Sequence, residues 1–376
     1  MQLPRVRLSA WILIAVTVVG CTGRGVPATT ATVTDTPRDS GFVVQRLADG
    51  VYAVVRQEPL GFINESNSMF VIGDRGVIVV DAQSSSGRTR ETLAALRRLT
   101  SKPVTAVIHT HWHDDHVTGN EVYREAFPAV ELIGHSTAAE DMNTMGVAFR
   151  RGAANKGQTI ALLRGMVTRQ QSFLGGAIDS LEARSHVLSA SLLEEYSNGS
   201  ADFRPLTPTR VVDSTLVLRQ GNRDVEVRWL GRGHTRGDLV VFLPRERILA
   251  TGDLLMWPVQ FIGSTSFPGE IPATIGRLRA LKANVVVPGH GRVMTGAAAD
   301  SHADLIGRTA RALATQAEAA VARGETLDSA RRHLDLTAVK REMTAGIRLR
   351  EALFSYYVTS EGFTRAFALA TAARAK

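Results

Sequence analysis

The stretch HTHWHDDH, residues 109–116, places four of the ten histidines of the chain and two aspartates within eight positions. Imidazole and carboxylate groups destabilise a protein when they are buried without partners. The cluster therefore requires water, polar partners or a metal ion. Which of these applies depends on what the rest of the 376-residue chain supplies.

The spacing within this cluster favours two neighbouring metal sites. His111 and His113 are two residues apart after the apolar strand VTAVIHT, so both side chains can point to the same side of an extended backbone. Asp115 and His116 are adjacent in sequence and cannot easily reach the point that this pair serves. Two ligands for one ion and two for a second is the economical interpretation, and sets of histidine and carboxylate suit zinc.

Further ligand types stand at the ends of other apolar segments. His234 lies in GRGHTRGD, Asp253 in ILATGDLL and His290 in VPGHGR. Each is flanked by glycine, which lets backbone approach a site closely. Strand ends on a rigid scaffold are where sites are commonly built.

Taken in order, H-x-H-x-D-H, Gly-His-Thr, Thr-Gly-Asp and Pro-Gly-His-Gly resemble the motifs of the metallo-β-lactamase superfamily over about residues 42–295. Asp81, at the end of VIVVDA, matches the aspartate of the first family motif. The resemblance implies an α/β fold, an αββα sandwich with its site on one edge, and two Zn²⁺ ions, with iron or manganese as alternative metals. It assigns His111, His113 and His234 to the first ion and Asp115, His116 and His290 to the second. Asp253 would bridge the two ions with its carboxylate.

The resemblance also implies a reaction. A metal-bridged hydroxide, oriented by Asp115 as the catalytic residue, would hydrolyse a small ester, lactone or amide. We expect Trp112, Met256 and Trp257 to line an apolar substrate cleft. β-Lactams are a narrower substrate class within this prediction. One large group of β-lactamases has a lysine where this chain has Met256, which argues against a direct transfer of that activity.

Two other functions stay open at this stage. Members of the superfamily that resemble persulfide dioxygenases use a single iron held by two histidines and an aspartate, although the complete second set of ligands argues against this alternative. The other is a lipoprotein scaffold with a vestigial site, whose C-terminal helices bind a partner.

The first 21 residues, MQLPRVRLSAWILIAVTVVGC, are typical of an exported protein. Two arginines precede a short apolar run, which is too short for a membrane span, and the pattern predicts a signal peptide over 1–20. The ending VVGC resembles the bacterial lipobox, which would make Cys21 the lipidated first residue and 21–41 a linker. The expected location is the periplasmic face of a bacterial membrane. Cys21 is the only cysteine, so no internal disulfide forms.

The mature chain is predicted to have three parts. Residues 42–298 form the catalytic domain, with a helical insertion at about 137–198, and 299–376 form a C-terminal helical extension long enough to pair two subunits in a homodimer. The net charge of +8 comes from scattered arginines, so we expect a small-molecule substrate and no nucleic-acid partner.

The histidines outside the motifs receive lesser roles. His109 is predicted to support the ligands or the core, whereas a place for His135 in the cleft is only the less favoured alternative. His186, His302 and His333 stand in polar helical stretches, which predicts surface positions for all three.

Overall fold

Two β-sheets are built from segments whose alternating or continuous apolar pattern the sequence displays. The computed structural model describes residues 33–34, 41–57, 61, 65–153, 156–198 and 203–375. The predicted signal peptide, Cys21 and most of the predicted linker lie outside these residues. All described residues belong to one compact unit, Thr32–Lys376.

The first sheet has eight strands in sequence order. Neighbouring strands from the first to the fifth pair antiparallel, and those from the fifth to the eighth pair parallel. They are β1 (Val33–Thr34), β2 (Phe42–Ala48), β3 (Val51–Arg56), β4 (Ser68–Ile72), β5 (Val77–Val80), β6 (Val104–Ile108), β7 (Glu131–His135) and β8 (Arg210–Val212).

The second sheet has six strands in the order β14-β13-β12-β11-β10-β9. Only the pair β12–β13 is parallel. The strands are β9 (Thr215–Gln220), β10 (Arg223–Trp229), β11 (Leu239–Leu243), β12 (Ile248–Met256), β13 (Val285–His290) and β14 (Met294–Thr295).

Helices cover the outer faces of both sheets. A further set of helices is inserted between two strands of the first sheet, and another set follows the last strand of the second sheet. On the first sheet lie α1 (Ser86–Leu99), α2 (Asp114–Val117) and α3 (Asn120–Ala126). Between β7 and β8 come α4 (Ala138–Asp141), a π-helical turn (Met142–Gly146), α5 (Val147–Ala153), α6 (Gly157–Thr168) and α7 (Ser180–Ser197). After β12 come α8 (Ile271–Ala280), α9 (Gly296–Ala322), α10 (Leu327–Arg332), α11 (Thr337–Thr344), α12 (Arg348–Phe354), a second π-helical segment (Ser355–Gly362) and α13 (Phe363–Arg374).

Three hydrophobic cores make this an αββα sandwich. The inner faces of the two sheets share one core, in which Ile108 of the first sheet and Ala250 of the second are buried. A second core joins the outer face of the first sheet to α1 and α3. A third joins the outer face of the second sheet to α8, α9 and the C-terminal helices. The predicted fold class, with its helical insertion and C-terminal helices, is confirmed.

Polar bridges tie the two sheets together at one edge. Leu239 at the start of β11 donates its N–H to the carbonyl of Thr110 just beyond β6, at 2.7 Å. Asn67 before β4 donates its N–H to the carbonyl of Gly289 on β13, also at 2.7 Å. The Asn67 side-chain amide donates to the carbonyls of Pro288 and Gly291 at 3.0 and 2.8 Å. Because buried backbone groups must be paired, these bonds fix the ends of the two sheets against each other.

Leu313 on α9 provides a test of the third core. Its side chain is fully buried among the C-terminal helices, so Leu313→Ala should lower the free energy of unfolding by about 2–5 kcal/mol. Denaturant unfolding followed by circular dichroism measures this. Leu162→Ala is the control, because Leu162 is 49% exposed and should cost less than about 0.5 kcal/mol. Equal effects of the two changes would contradict the assignment of Leu313 to a tight core.

Candidate metal centre

Four loops or strand ends bring the predicted ligands to the edge where the sheets are bridged. Of the parallel pair β5 and β6, β5 leads into Asp81 and β6 into residues 109–116, and parallel β12 and β13 carry Asp253 and His290. His234 lies in the turn between β10 and β11. Carboxyl ends of parallel strands meet at one edge of a sheet, which is why residues far apart in sequence converge here.

The converging side chains form two groups. Within each group, the candidate ligand atoms all lie within 4.8 Å of one another. The first group comprises His111, His113, His234 and Asp253, and the second comprises Asp115, His116 and His290. All seven predicted donors are thus brought together.

Asp253 stands between the two groups. Its Oδ2 lies 3.5 Å from Nε2 of His234 and 3.9 Å from Nε2 of His111. Its Oδ1 lies 3.4 Å from Nε2 of both His116 and His290. One carboxylate oxygen therefore faces each group, as a bridging ligand requires.

Hydrogen bonds determine which nitrogen of His111 and His116 faces the centre. The Thr110 hydroxyl donates to Oδ2 of Asp81 at 2.8 Å, so it can only accept from Nδ1 of His111, 3.2 Å away. Nδ1 of His116 donates to the same Asp81 oxygen at 2.8 Å. Both Nε2 atoms are left for the centre, and neither has a hydrogen-bond partner although both are buried.

The same logic applies to His113 and His234. The Thr265 hydroxyl donates to the His234 carbonyl at 3.1 Å and accepts from Nε2 of His113 at 3.2 Å, which leaves Nδ1 of His113 unprotonated. Nδ1 of His234 donates to the Phe261 carbonyl at 3.2 Å, which leaves its Nε2. These two nitrogens lie 3.0 Å apart. Two lone pairs at that separation repel each other unless a cation lies between them, so the donor set fits a metal ion.

Burial and charge support the same conclusion. Burial, and then the neighbouring histidines, lower the pKa of His111 and of His113, the latter to about 3, so both imidazoles are neutral and able to bind metal. Burial lowers the pKa of His290, but the Asp253 and Asp115 carboxylates outweigh it and bring the pKa to about 10. The carboxylates thus stabilise positive charge at this point. Oδ1 of Asp253 is itself buried without a hydrogen bond, which a metal ion would relieve.

A cleft of about 460 Å³ opens onto this cluster. Its floor includes His113, Asp115, Asp253 and His290. Its walls come from the loop after β6, the helical insertion, the segment after β12 and the second π-helical segment. The wall residues are Trp112, Asp114, Ala148, Phe149, Gly152, Lys156, Leu193, Tyr196, Met256, Phe261, Ser264, Thr265, Tyr356, Tyr357 and Glu361.

The sequence pattern of the metallo-beta-lactamase superfamily matches residues 63–290. The chain belongs to this superfamily. Among named relatives, a linear primary-alkylsulfatase of Pseudomonas sp. is 24% identical over 231 residues, which are 59% of this chain and 40% of that enzyme. The chain therefore spans about two fifths of the length of that relative.

Two further relatives and one solved structure carry the name of the superfamily. Metallo-beta-lactamases type 2 of Bacillus sp. and Bacillus cereus are 26% and 25% identical, covering 62% and 61% of this chain and 71% and 68% of those enzymes. The structure of a metallo-beta-lactamase from Pontibacter korlensis has a TM-score of 0.43 at 19% identity, covering 73% of this chain and 96% of that one. The named relatives are hydrolases.

Two of the three predicted cleft residues of this superfamily member are found in the cleft. Trp112 and Met256 line it, whereas Trp257 is not among the described lining residues. The Trp257 ring instead packs against the guanidinium groups of Arg292 and Arg350, 4.5 and 5.2 Å from the ring centroid.

The histidines outside the motifs divide into supporting and structural groups. His109 is buried and its Nε2 lies 2.9 Å from Oδ1 of Asn120, as predicted for a supporting residue. His135 packs against Trp229 rather than lining the cleft. The surface prediction for His186 is wrong, because its ring is buried beside Glu182, four residues earlier on α7.

His302 and His333 behave differently from each other. His302 was predicted at the surface, but it is half-buried and its Nε2 donates to the Met256 carbonyl at 2.7 Å. Only His333 is exposed. A polar helical context therefore did not identify which of these rings face solvent.

Sequence reasoning missed the polar wall of the cleft. Asp114 lies there, and burial raises its pKa to about 7, although the charge of Arg150 opposes this shift. Tyr196 of α7 lies nearby, and burial and then the Asp115 charge raise the pKa of its phenol, which therefore stays protonated. Asp114 stands within the histidine motif but outside both ligand groups, and Tyr196 reaches the cleft only through helix packing, which no motif marks.

Asp81→Asn tests the hydrogen bonds behind the ligands. Asp81 has a φ of +62°, a left-handed conformation that asparagine tolerates, so the backbone should be retained. Loss of the carboxylate that accepts from His116 and Thr110 should weaken metal binding about 10–100-fold, measured by titration of chelator-treated protein. Asp49→Asn is the control, since the Asp49 side chain is 98% exposed. Unchanged affinity in the Asp81 variant would show that His116 needs no such support.

Gly289→Ala tests the closeness of β12 and β13. A Cβ at Gly289 would lie 1.9 Å from Oδ1 of Asp253, so alanine must displace the bridging carboxylate. We expect metal content to fall and affinity to drop more than tenfold, an estimate based on loss of one bridging ligand. A Cβ at Gly276 on α8 meets nothing within 4 Å, so Gly276→Ala should leave metal binding unchanged. Wild-type affinity in the Gly289 variant would contradict the bridging role.

Proposed function

We propose that this chain is an exported hydrolase with two zinc ions that cleaves a small ester, lactone or amide, β-lactams included. The observation that carries the proposal is the pair of ligand groups sharing Asp253 at the floor of an apolar cleft. Membership of a superfamily whose named relatives are hydrolases agrees with it.

The donor chemistry supports zinc. The two groups contain five imidazoles and two carboxylates and no thiolate, and imidazole with carboxylate is a common set for catalytic zinc. Iron and manganese accept similar donors. The second group of Asp115, His116 and His290 argues against a mononuclear iron oxidoreductase, because that chemistry leaves these donors without a role.

Asp115 is the proposed catalytic residue. When bound, two metal ions supply an activated water molecule and polarise the scissile bond. Asp115 is positioned to orient that water and accept its proton, because its side chain is 17% exposed toward the cleft whereas that of Asp253 is only 5% exposed. Oδ2 of Asp115 lies 3.0 Å from Nε2 of His290, so these two donor atoms are close enough to bind the same ion.

The remaining cleft residues favour a substrate with an apolar group. Trp112, Phe149, Leu193, Met256 and Phe261 supply an aromatic and aliphatic wall, which binds apolar groups by excluding water. Tyr196 and Tyr356 add hydroxyl groups that can orient a polar end. Pairing of an apolar wall with a few polar groups is typical of sites for small amphiphilic molecules.

A primary alkyl sulfate is a second candidate substrate. The relative named as a linear primary-alkylsulfatase supports it, as does the apolar lining that would hold an alkyl chain. The reaction is again a hydrolysis of an ester bond, so the same floor residues would serve. A substrate panel therefore needs both carboxylic and sulfate esters.

The place of the protein in the cell is part of the proposal. The N-terminal sequence supports a signal peptide over 1–20 and a lipid-modified Cys21, with 21–41 as the linker to a catalytic domain over 42–298. The protein would then face the periplasm, attached to a membrane by its lipid, and meet a small-molecule substrate there. The C-terminal helices of 299–376 are the surface we propose for a homodimer.

Elemental analysis with a substrate panel tests the function. We expect about two zinc ions per chain, with nitrocefin, a lactone, an aryl ester or dodecyl sulfate turned over and the activity lost on chelation. Asp115→Asn should lower kcat by about 10²–10⁴-fold while the chain still holds metal. Glu318→Gln, on α9 away from the cleft, should leave kcat unchanged.

Two outcomes would overturn this proposal. One is a single iron per chain with no hydrolysis of any panel member, which would favour the oxidoreductase. The other is full activity of metal-free protein, which would remove the metal-dependent mechanism, whereas full activity of Asp115→Asn would remove the catalytic role of Asp115.

A further inference from the structure

The hairpin between α6 and α7 presents large apolar side chains to solvent. Phe173 and Leu174 at its turn are each 42% exposed, and Leu181 at the start of α7 is 38% exposed. We call these three residues the apolar tip. Exposed apolar side chains are normal when scattered, whereas a group at one apex calls for an explanation.

The apolar tip belongs to a well-defined turn. Gln171 pairs with Ala177 as a β-bridge, and the N–H of Ser172 donates to the Gly176 carbonyl at 2.9 Å. The N–H of Gly175 donates in turn to the Ser172 carbonyl at 3.0 Å. The turn therefore closes on itself and points the side chains of positions 173 and 174 outward at its apex.

Two side chains from neighbouring helices form hydrogen bonds with the turn. The buried carboxylate of Glu182 accepts from the N–H of Phe173 at 2.8 Å and from the Ser172 hydroxyl at 3.0 Å. Arg348 of α12 donates to the Gly175 carbonyl at 2.7 Å. These bonds fix the backbone of the turn, and the exposed apolar surface that it carries would gain free energy from contact with an apolar partner.

The segment that leads to the tip is basic. From Met142 to Ile178 the chain contains five basic residues and no aspartate or glutamate. Four of the basic side chains are exposed: Arg151, Lys156, Arg164 and Arg169. The acidic group next to the tip, Asp179, is engaged as the N-cap of α7, where it accepts from the N–H of Glu182 at 2.8 Å. Arg164 pairs with Glu194 at 2.7 Å, so among the described residues the exposed basic side chains nearest the turn in sequence, other than Arg164, are Arg169 and Arg184.

We propose that the apolar tip inserts into the surface of an anionic phospholipid bilayer. Aromatic and aliphatic side chains beside lysine and arginine are the combination that binds membrane interfaces, and each basic residue near an anionic surface adds to the attraction. A second copy of the chain fits less well, because a stable protein interface buries about 800 Å² per partner and the tip offers only three large side chains. Insertion needs no membrane span, and among the described helices none is long and apolar enough to provide one.

The inference is independent of the proposed reaction. None of Phe173, Leu174 or Leu181 lines the cleft. The insertion that carries them also supplies Tyr196 to the cleft wall, but Tyr196 follows Leu181 by fifteen residues on α7, a rise of about 22 Å, so the tip and the cleft are separate. Changes at the tip should leave hydrolysis of a water-soluble substrate unaltered.

A fluorescent label on the full chain tests where the membrane is met. Cys21→Ser removes the only native thiol, and Leu174→Cys then accepts an environment-sensitive nitrobenzoxadiazole group. The matched control is Val217→Cys on β9, because Val217 is 45% exposed and lies outside the insertion. Vesicles of phosphatidylcholine with about a third phosphatidylglycerol should raise and blue-shift the emission at position 174 and not at 217, and high salt should weaken the response.

Sedimentation with the same vesicles tests the energetics. The compact unit Thr32–Lys376 is used here because the apolar run of residues 10–19 would bind bilayers by itself. Phe173→Ser combined with Leu174→Ser should lower partitioning roughly tenfold, whereas Val211→Thr combined with Val217→Thr should not change it. Circular dichroism and turnover of a soluble substrate verify that every variant is folded.

Four results would each overturn the proposal. The emission at position 174 could stay constant when vesicles are added, or respond as strongly to pure phosphatidylcholine as to the anionic mixture. It could instead rise with protein concentration alone, which would identify a second copy as the partner. Equal sedimentation of the tip variant and the valine control would remove the tip from membrane binding.

Discussion

The bridged edge between the two sheets is the constraint on which the rest of the structure depends. A bond from Leu239 to Thr110 and the bonds made by Asn67 join strands that are far apart in sequence. Because these bonds lie directly beside the ligand-bearing turns, a shift of one sheet against the other would move His111 relative to Asp253. The inter-sheet core sets the separation of the sheets, and the polar bridges set their alignment.

The ligand cluster depends on that alignment in a second way. Each imidazole has its outward nitrogen paired with a hydroxyl, a carboxylate or a backbone carbonyl, so its inward nitrogen is fixed in direction and in protonation. Bringing the lone pairs of these nitrogens close together costs free energy. The packing and hydrogen bonds of the fold supply it before any ion is bound. Preorganisation of this kind favours ions whose geometry matches the cluster over ions that merely have high affinity.

The fold and the ligand set could be predicted from sequence because both have local signals. Strand periodicity identified individual strands, whereas the resemblance of short motifs at strand ends to those of the superfamily implied the sandwich and the ligands His111, His234 and His290. The cleft walls could not be predicted, since Tyr356 reaches the cleft through the packing of a π-helical segment that has no sequence signature. His186 was misplaced for a related reason: a polar helical pattern does not reveal that Glu182, one turn away, forms a buried pair with it.

The cleft is assembled from two kinds of element, and this division bears on how the protein can change over time. The floor stands on strand ends where even a methyl group at position 289 would collide with a carboxylate. The walls stand on α5, α7 and the π-helical segment, which contribute residues such as Phe149, Leu193 and Tyr356 without belonging to either sheet. Mutations in the walls can therefore alter what is bound while the chemistry of the floor persists. Single substitutions in the walls can therefore change the substrate preference while each intermediate variant keeps its catalytic residues.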